Sequence, residues 1–114
     1  MDDIHKLLRS HRSIRQFTDE ALSDDTVADI VKTGLTAATS SNLQATTVIR
    51  VRDEEVRGRI SDVSGGQPQI VTAPAFLVWC ADLHRTRMAC EMAGGSMTSG
   101  MTEQFIIATV DVAL

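Results

Sequence analysis

The sequence predicts a mixed fold in which short amphipathic helices are interrupted by two strands, and three observations carry that reading. Apolar residues recur at helical spacing in Ile4/Leu7/Leu8, in Val27/Ile30/Val31/Leu35 and in Val56/Ile60/Val63. Two β-branched or aromatic runs, residues 46–51 and 75–81, break that rhythm. Ser23-Asp24-Asp25 and Asp53 are helix-start signals, and the pairs Gly65-Gly66 and Gly94-Gly95 are stops. With 43% hydrophobic residues in 114, the chain has material for a core and the composition of a globular domain rather than of a disordered segment.

The first helix is expected to bury Ile4, Leu7 and Leu8 and to end near Ser10. After an irregular stretch Phe17 is expected to fold back as an apolar anchor. A second helix, capped by Ser23 and favoured by carboxylates at the positive end of its dipole, runs to Ala37 or Ala38. It opens into Thr39-Ser40-Ser41-Asn42, whose hydroxyls and amide compete for backbone bonds and favour a turn. The first strand follows at 46–51, then a third helix capped by Asp53 and stopped by Gly65-Gly66. Ile70 and Val71 fit one further helical turn before Pro74. The run 75–81 reads as a strand buried on both faces, and residues 84–92 as a helix. From Met97 onward Met101, Phe105, Ala108 and Val112 share one helix face while Ile106, Ile107, Val110 and Leu114 fill the others. A helix apolar nearly all round needs cover on nearly all sides, so the expectation is that a partner subunit covers it or that the natural protein continues.

Charge and motifs narrow the function classes. The net charge of −4 argues against broad nucleic-acid binding, yet Lys6, Arg9, Arg12 and Arg15 gather near the start. Such a local positive field suits a small anion better than a polyanion. Cys80 and Cys90 are too far apart for a redox pair and lack zinc-ligand spacing, so both read as plain thiols. Met1 is followed by Asp2 and Asp3 with neither a basic nor an apolar stretch, and no run reaches the roughly 18 apolar residues of a membrane span. A cytoplasmic protein with no membrane partner is the expectation. Gly94-Gly95 and Gly100 do not make a dinucleotide fingerprint. His5 and His84 are isolated, and Met88, Met92, Met97 and Met101 read as core filling.

The segment His11-Arg12-Ser13-Ile14-Arg15 places two permanent cations, a histidine and a hydroxyl within five residues. Guanidinium groups at this density can hold a phosphate through charge-assisted hydrogen bonds. A solvated basic loop, with Arg15 paired to Asp19 or Glu20, is the competing reading. Residues 11–20 read HRSIRQFTDE, 40–44 read SSNLQ, 65–67 read GGQ and 76–82 read FLVWCAD. In this order and at these separations they resemble the N-terminal half of the NADPH-dependent flavin oxidoreductases, the oxygen-insensitive nitroreductases of the NADPH-preferring group.

The resemblance implies an α+β fold: a mainly antiparallel sheet flanked by helices, with an FMN site at a homodimer interface. It implies that residues 1–114 are the N-terminal part of a single nitroreductase-like domain, since that family runs over about 200 to 250 residues. It further implies that His11, Arg12 and Ser13 face the FMN phosphate and that Arg15 reaches the N1–O2 edge of the ring. Thr39, Ser40 and Ser41 match the loop lining flavin and substrate, and Gln67 matches a glutamine that hydrogen-bonds the flavin. Asn42 stands at a position that varies within the family and bears on substrate preference. The implied activity is a ping-pong transfer of two electrons from NADPH through FMN to nitroaromatics, quinones or free flavin, with no side chain acting as nucleophile or metal ligand. Without the resemblance, Ser40 and Ser41 read as a helix C-terminal turn and Gln67 as a loop residue. A non-catalytic fragment lacking a complete FMN site, or a small anion-binding module, are the alternatives from other classes.

Overall fold

Two strands far apart in sequence pair antiparallel and organise the larger part of the chain. In the computed structural model, which describes residues 2–98 and 101–114, β1 (Thr46–Arg50) lies against β2 (Leu77–Ala81) with Thr46 opposite Ala81, Val48 opposite Trp79 and Arg50 opposite Leu77. The ladder is extended at both ends, by the Asp82 amide to the Ala45 carbonyl and by the Val51 amide to the Phe76 carbonyl. Met1, Ser99 and Gly100 lie outside the described residues, and with them the glycine weighed above at position 100. The chain divides into two units, residues 21–52 with 75–114 and residues 1–20 with 53–74.

Besides β1 and β2 the larger unit holds three helices: α2 (Asp24–Gly34), α5 (Leu83–Met92) and α6 (Thr102–Ala113). The Ser23 side chain caps α2 by accepting the Thr26 amide at 3.0 Å. Asp24 then accepts from Arg50 at 2.6 Å and from Arg52 at 3.0 Å, tying the start of α2 to the end of β1. The helix stops at Gly34, short of the expected Ala37 or Ala38. Beyond Leu35 the bonding tightens from the helical spacing to single turns, Thr36 amide to Thr33 carbonyl and Ala37 amide to Gly34 carbonyl, and Gly34 itself packs close to Trp79, where a Cβ would stand 2.6 Å from Cη2. Val27 is buried, whereas Ile30 and Leu35 of the expected stripe remain exposed.

Helix α6 lies on the sheet through a narrower stripe than its sequence advertises. Ala108 (1% exposed) and Asp111 (8%) are its buried residues. Phe105, expected beside Ala108, is exposed along with Ile106 and Val110. Two strands offer a groove for one row of side chains, and a small residue allows the closest approach. The run 75–81 is likewise corrected, since residues 77–80 are half-buried rather than buried on both faces. The methionine reading fails for Met88, Met92 and Met101, which are exposed because none of the described elements covers them. Cys80 and Cys90 are free and half-buried.

Asp82 joins strand to helix. Its Oδ1 accepts the Arg85 amide at the start of α5, and its Oδ2 accepts the Thr47 hydroxyl at 2.5 Å. These bonds, the Thr47 one foremost, hold the Asp82 carboxyl below the ordinary carboxylate range. Asp24 is lowered by its hydrogen bonds from Arg52 and then Arg50.

The smaller unit contains α1 (Asp2–Arg9), α3 (Glu54–Val63) and α4 (Gln69–Thr72). Asp53 caps α3 by accepting the Val56 amide at 3.0 Å. The helix closes with paired bonds, Gly66 amide to Ser61 carbonyl and Gly65 amide to Asp62 carbonyl, made possible by φ of 82° and 73° at the two glycines. The buried row of α3 is Arg57 and Ser61 rather than Val56, Ile60 and Val63; Val63 is 86% exposed. Arg57 donates from Nε to the Ile70 carbonyl at 2.6 Å and from Nη2 to the Ala73 carbonyl at 2.5 Å, and Ser61 Oγ donates to the Gln67 carbonyl at 2.9 Å. The end of α4 and the loop before it present carbonyls that need donors, and a polar row on α3 supplies them. On α1, by contrast, Ile4, Leu7 and Leu8 are exposed by more than 60%, and Phe17 is exposed by half rather than folded back. The helix forms where its periodicity places it, but no described element covers its apolar face.

Replacement Arg57→Met is expected to lower unfolding free energy by about 2 to 3 kcal/mol, the scale for leaving buried carbonyls without donors. Chemical denaturation measures this, and faster amide exchange centred on residues 69–73 would locate it. Because the Asp82 carboxyl is depressed on folding, its contribution is complete above the unfolded carboxylate pKa and is lost as pH falls through the folded value. Amides of β1 and of the first turn of α5 are therefore expected to lose protection below about pH 4. In Asp82→Asn the protection at pH 7 is lower and its acid dependence shallower; an unchanged profile would contradict the role.

Candidate functional site

The expected site residues fall in both units, and each group is described where it lies. In the smaller unit the basic segment begins as α1 ends. The Ser10 amide returns to the Lys6 carbonyl at 2.9 Å, its hydroxyl donates to the Leu7 carbonyl at 2.8 Å, and the His11 amide reaches the Leu8 carbonyl at 3.3 Å. With the helix closed, His11, Arg12, Ser13 and Arg15 continue without regular structure, and all four are exposed. Leu7, Leu8, Ser10, His11, Arg12 and Ile14 line a shallow concavity of about 570 Å³. Among the described residues neither Arg12 nor Arg15 has a carboxylate within ion-pair distance, so the Asp19 or Glu20 pairing considered for Arg15 is not formed. Two uncompensated guanidinium groups can receive an anion without first breaking an internal pair.

Gln67 is placed by the double-glycine closure of α3. Its backbone carbonyl is held by Ser61, its Oε1 accepts from the Gln69 side chain at 2.6 Å, and its side chain is exposed. An amide so oriented keeps an NH₂ group available to a ring carbonyl or nitrogen.

In the larger unit Thr39, Ser40 and Ser41 are brought together in a 3₁₀ turn, Ser40–Asn42. The Asn42 amide donates to the Thr39 carbonyl and the Leu43 amide to the Ser40 carbonyl, both at 3.1 Å. Thr39 Oγ1 accepts the Gln44 amide at 3.2 Å, closing the loop on itself. The backbone satisfies itself here as a helix-following turn would. The hydroxyls of Ser40 and Ser41, however, take no part and have no partner among the described residues. Ser41, Asn42 and Gln44 hold φ of 52°, 55° and 50°. Left-handed backbone at a residue with a Cβ costs on the order of 1 to 3 kcal/mol and persists only where its surroundings enforce it.

One enforcing residue escaped the sequence reading. Asp111, buried on α6, accepts the Ser40 amide on Oδ2 at 3.0 Å and on Oδ1 at 3.2 Å. The signal was present as a carboxylate in the mainly apolar second half of α6, one turn from Ala108. Asp111 also lines a cavity of about 160 Å³ with Gly34, Thr39, Trp79 and Arg85. There the Arg85 guanidinium donates to the Thr46 carbonyl at 3.2 Å.

Comparison with known proteins places this geometry in context. The model of the nitroreductase family matches residues 8–110. An FMN reductase [NAD(P)H] of Bacillus subtilis is 38% identical over 117 residues, covering 100% of this chain and 47% of that protein. An oxygen-insensitive NADPH nitroreductase of Salmonella typhimurium is 36% identical, with 96% of this chain and 44% of that protein covered. Among solved structures, NfrA2 of B. megaterium superposes with a TM-score of 0.91 at 35% identity, over 99% of this chain and 46% of that one. An NADPH:FMN oxidoreductase from Vibrio harveyi complexed with NAD+ gives 0.86 at 32% identity, over 96% and 46%. The chain thus spans about half the length of the relatives it matches. From the HRSIR segment through the serine turn to the long helix α6, this chain belongs to the nitroreductase family.

Proposed function

We propose that the protein is an FMN-dependent oxidoreductase that takes two electrons from NADPH and delivers them to small oxidants, and that it works as a homodimer. The observation that carries the reading is the exposed His11-to-Arg15 segment, whose two guanidinium groups have no internal counter-ion among the described residues. The names of the relatives, an FMN reductase [NAD(P)H] and an NADPH nitroreductase, support the cofactor and the donor.

The donor set suits FMN at both ends. His11, Arg12 and Ser13 would hold the phosphate, with charge and hydroxyl donors on one short segment. Arg15 would lie along the ribityl chain toward the N1–O2 edge. A fixed guanidinium there favours the charge that reduction places on that edge and raises the reduction potential. Thr39, Ser40 and Ser41 would line the ring and the substrate position, with the two serine hydroxyls free to donate. Gln67 would hydrogen-bond the ring as donor or acceptor, which an amide can do in either redox state. When bound, FMN supplies the redox chemistry: hydride from NADPH in one half-reaction, and two electrons to a nitroaromatic, quinone or free flavin in the other, a ping-pong cycle. The side chains named here orient, neutralise and exclude solvent.

Two copies are proposed because Phe105, Ile106 and Val110 stand exposed on α6, and exposed apolar faces mark surfaces of association.

Arg15→Ala is expected to weaken FMN binding about tenfold or more, equivalent to ~1.4 kcal/mol, measured by quenching of flavin fluorescence. Arg15→Lys recovers part of the affinity, because it restores the charge without the planar fork. Wild-type affinity and reduction rate in the alanine variant would remove Arg15 from the site, and a protein that stays colourless in excess FMN would overturn the function. Sedimentation is expected to show a dimer; a monomer that turns over NADPH would contradict the shared-site arrangement.

A further inference from the structure

Asp111 is an expensive residue where it stands. Its carboxylate is buried in the groove between α6 and the sheet, it has no cation within ion-pair distance among the described residues, and both its oxygens address a single backbone amide. A buried carboxylate is unfavourable unless its oxygens find donors, and here, with the Arg85 guanidinium lining the same cavity, the hydrogen bonds those oxygens make are to one backbone amide. The amide it holds is that of Ser40, 71 residues away in sequence, the first residue of the turn in which Ser41, Asn42 and Gln44 are left-handed. The exit from that turn is fixed by fully buried Ala45, whose carbonyl accepts the Asp82 amide at 2.8 Å as β1 begins. The bond between Thr39 Oγ1 and the Gln44 amide is internal to the loop and cannot fix its place on the unit. The contact with Asp111 is what ties the entry of the turn to the helix beneath it.

We propose that Asp111 is a positioning residue: through the Ser40 amide it holds the strained turn in the conformation that aims the Ser40 and Ser41 hydroxyls away from the protein and toward the flavin. The role rests on the proposed FMN-dependent function. A carboxylate suits the task better than a neutral acceptor, because an ionised acceptor makes a shorter and stronger bond to an amide. Its two equivalent oxygens also keep the amide engaged when the side chain rotates slightly. With the turn set against α6, both hydroxyls and the left-handed backbone are prepared before any ligand arrives.

The test compares Asp111→Ala and Asp111→Asn with the wild-type protein by amide exchange and by FMN titration. In Asp111→Ala the Ser40 amide is expected to exchange about tenfold faster or more while the Val48 and Ile49 amides of β1 keep their protection, and FMN affinity is expected to fall by a similar factor. Asp111→Asn keeps one carbonyl acceptor, so its exchange rate and affinity are expected within about threefold of wild type, and it serves if the alanine variant does not fold. In a folded Asp111→Ala protein, exchange raised equally in β1 and at Ser40 overturns a positioning role. So does an Ala variant with unchanged Ser40 exchange, or one that binds FMN as the wild type does. A wild-type protein that takes up no FMN overturns the function reading and the flavin role together, with the Ser40 exchange arm showing separately whether the clamp exists.

Discussion

The antiparallel pairing of β1 with β2 is the constraint on which the larger unit depends. The strands are separated in sequence by the whole of α3 and α4, so the register has no tight turn to set it. Side chains at the strand ends carry that task instead. Asp82 binds Thr47 across the pair and caps α5 in the same gesture, while Arg50 and Arg52 at the far end of β1 share Asp24 at the start of α2. A slip by one residue would move Trp79 from the face that meets Gly34 and would break the alignment of Thr47 with Asp82. The ladder, the two caps and the indole contact therefore specify one another.

The local elements were legible because their signals are local. Ser23 and Asp53 cap the helices they were expected to cap, Gly65-Gly66 closes α3, and the strand at 46–51 forms with its end one residue earlier. Burial was much less legible, because periodicity says which residues share a face and not whether anything lies against it. Ile4, Leu7 and Leu8 make a regular apolar stripe that nothing covers, whereas α3 buries Arg57 and Ser61 because carbonyls near α4 require donors. Hydrophobicity ranks residues by transfer from water. It does not count the hydrogen bonds a neighbouring segment still needs.

The candidate site shows the same division. The cations of residues 11–15 and the hydroxyls of 39–41 could be found by reading along the chain, since their chemistry sits in the residue types. The left-handed backbone at Ser41 and Gln44 could not, because neither is a glycine and neither residue type favours that torsion; of the three only Asn42 is of a type that tolerates it. Asp111 belongs to a helix that otherwise reads as packing, and its meaning emerges only when the Ser40 amide is found beside it. A loop that carries binding chemistry is defined by its own sequence; the hold upon it is written elsewhere.

The two helical glycines at 34 and 58 illustrate how differently the same residue type can be retained. Glycine within a helix sacrifices roughly 0.5 to 1 kcal/mol relative to alanine through backbone entropy. At Gly58 nothing lies within 4 Å of where a methyl group would stand, so the surroundings place no demand on that sacrifice. At Gly34 the indole of Trp79 occupies the space, and any added carbon must swing the ring that floors the neighbouring cavity. Substitution can therefore drift freely at one position, while at the other the contour of a concave surface is at stake.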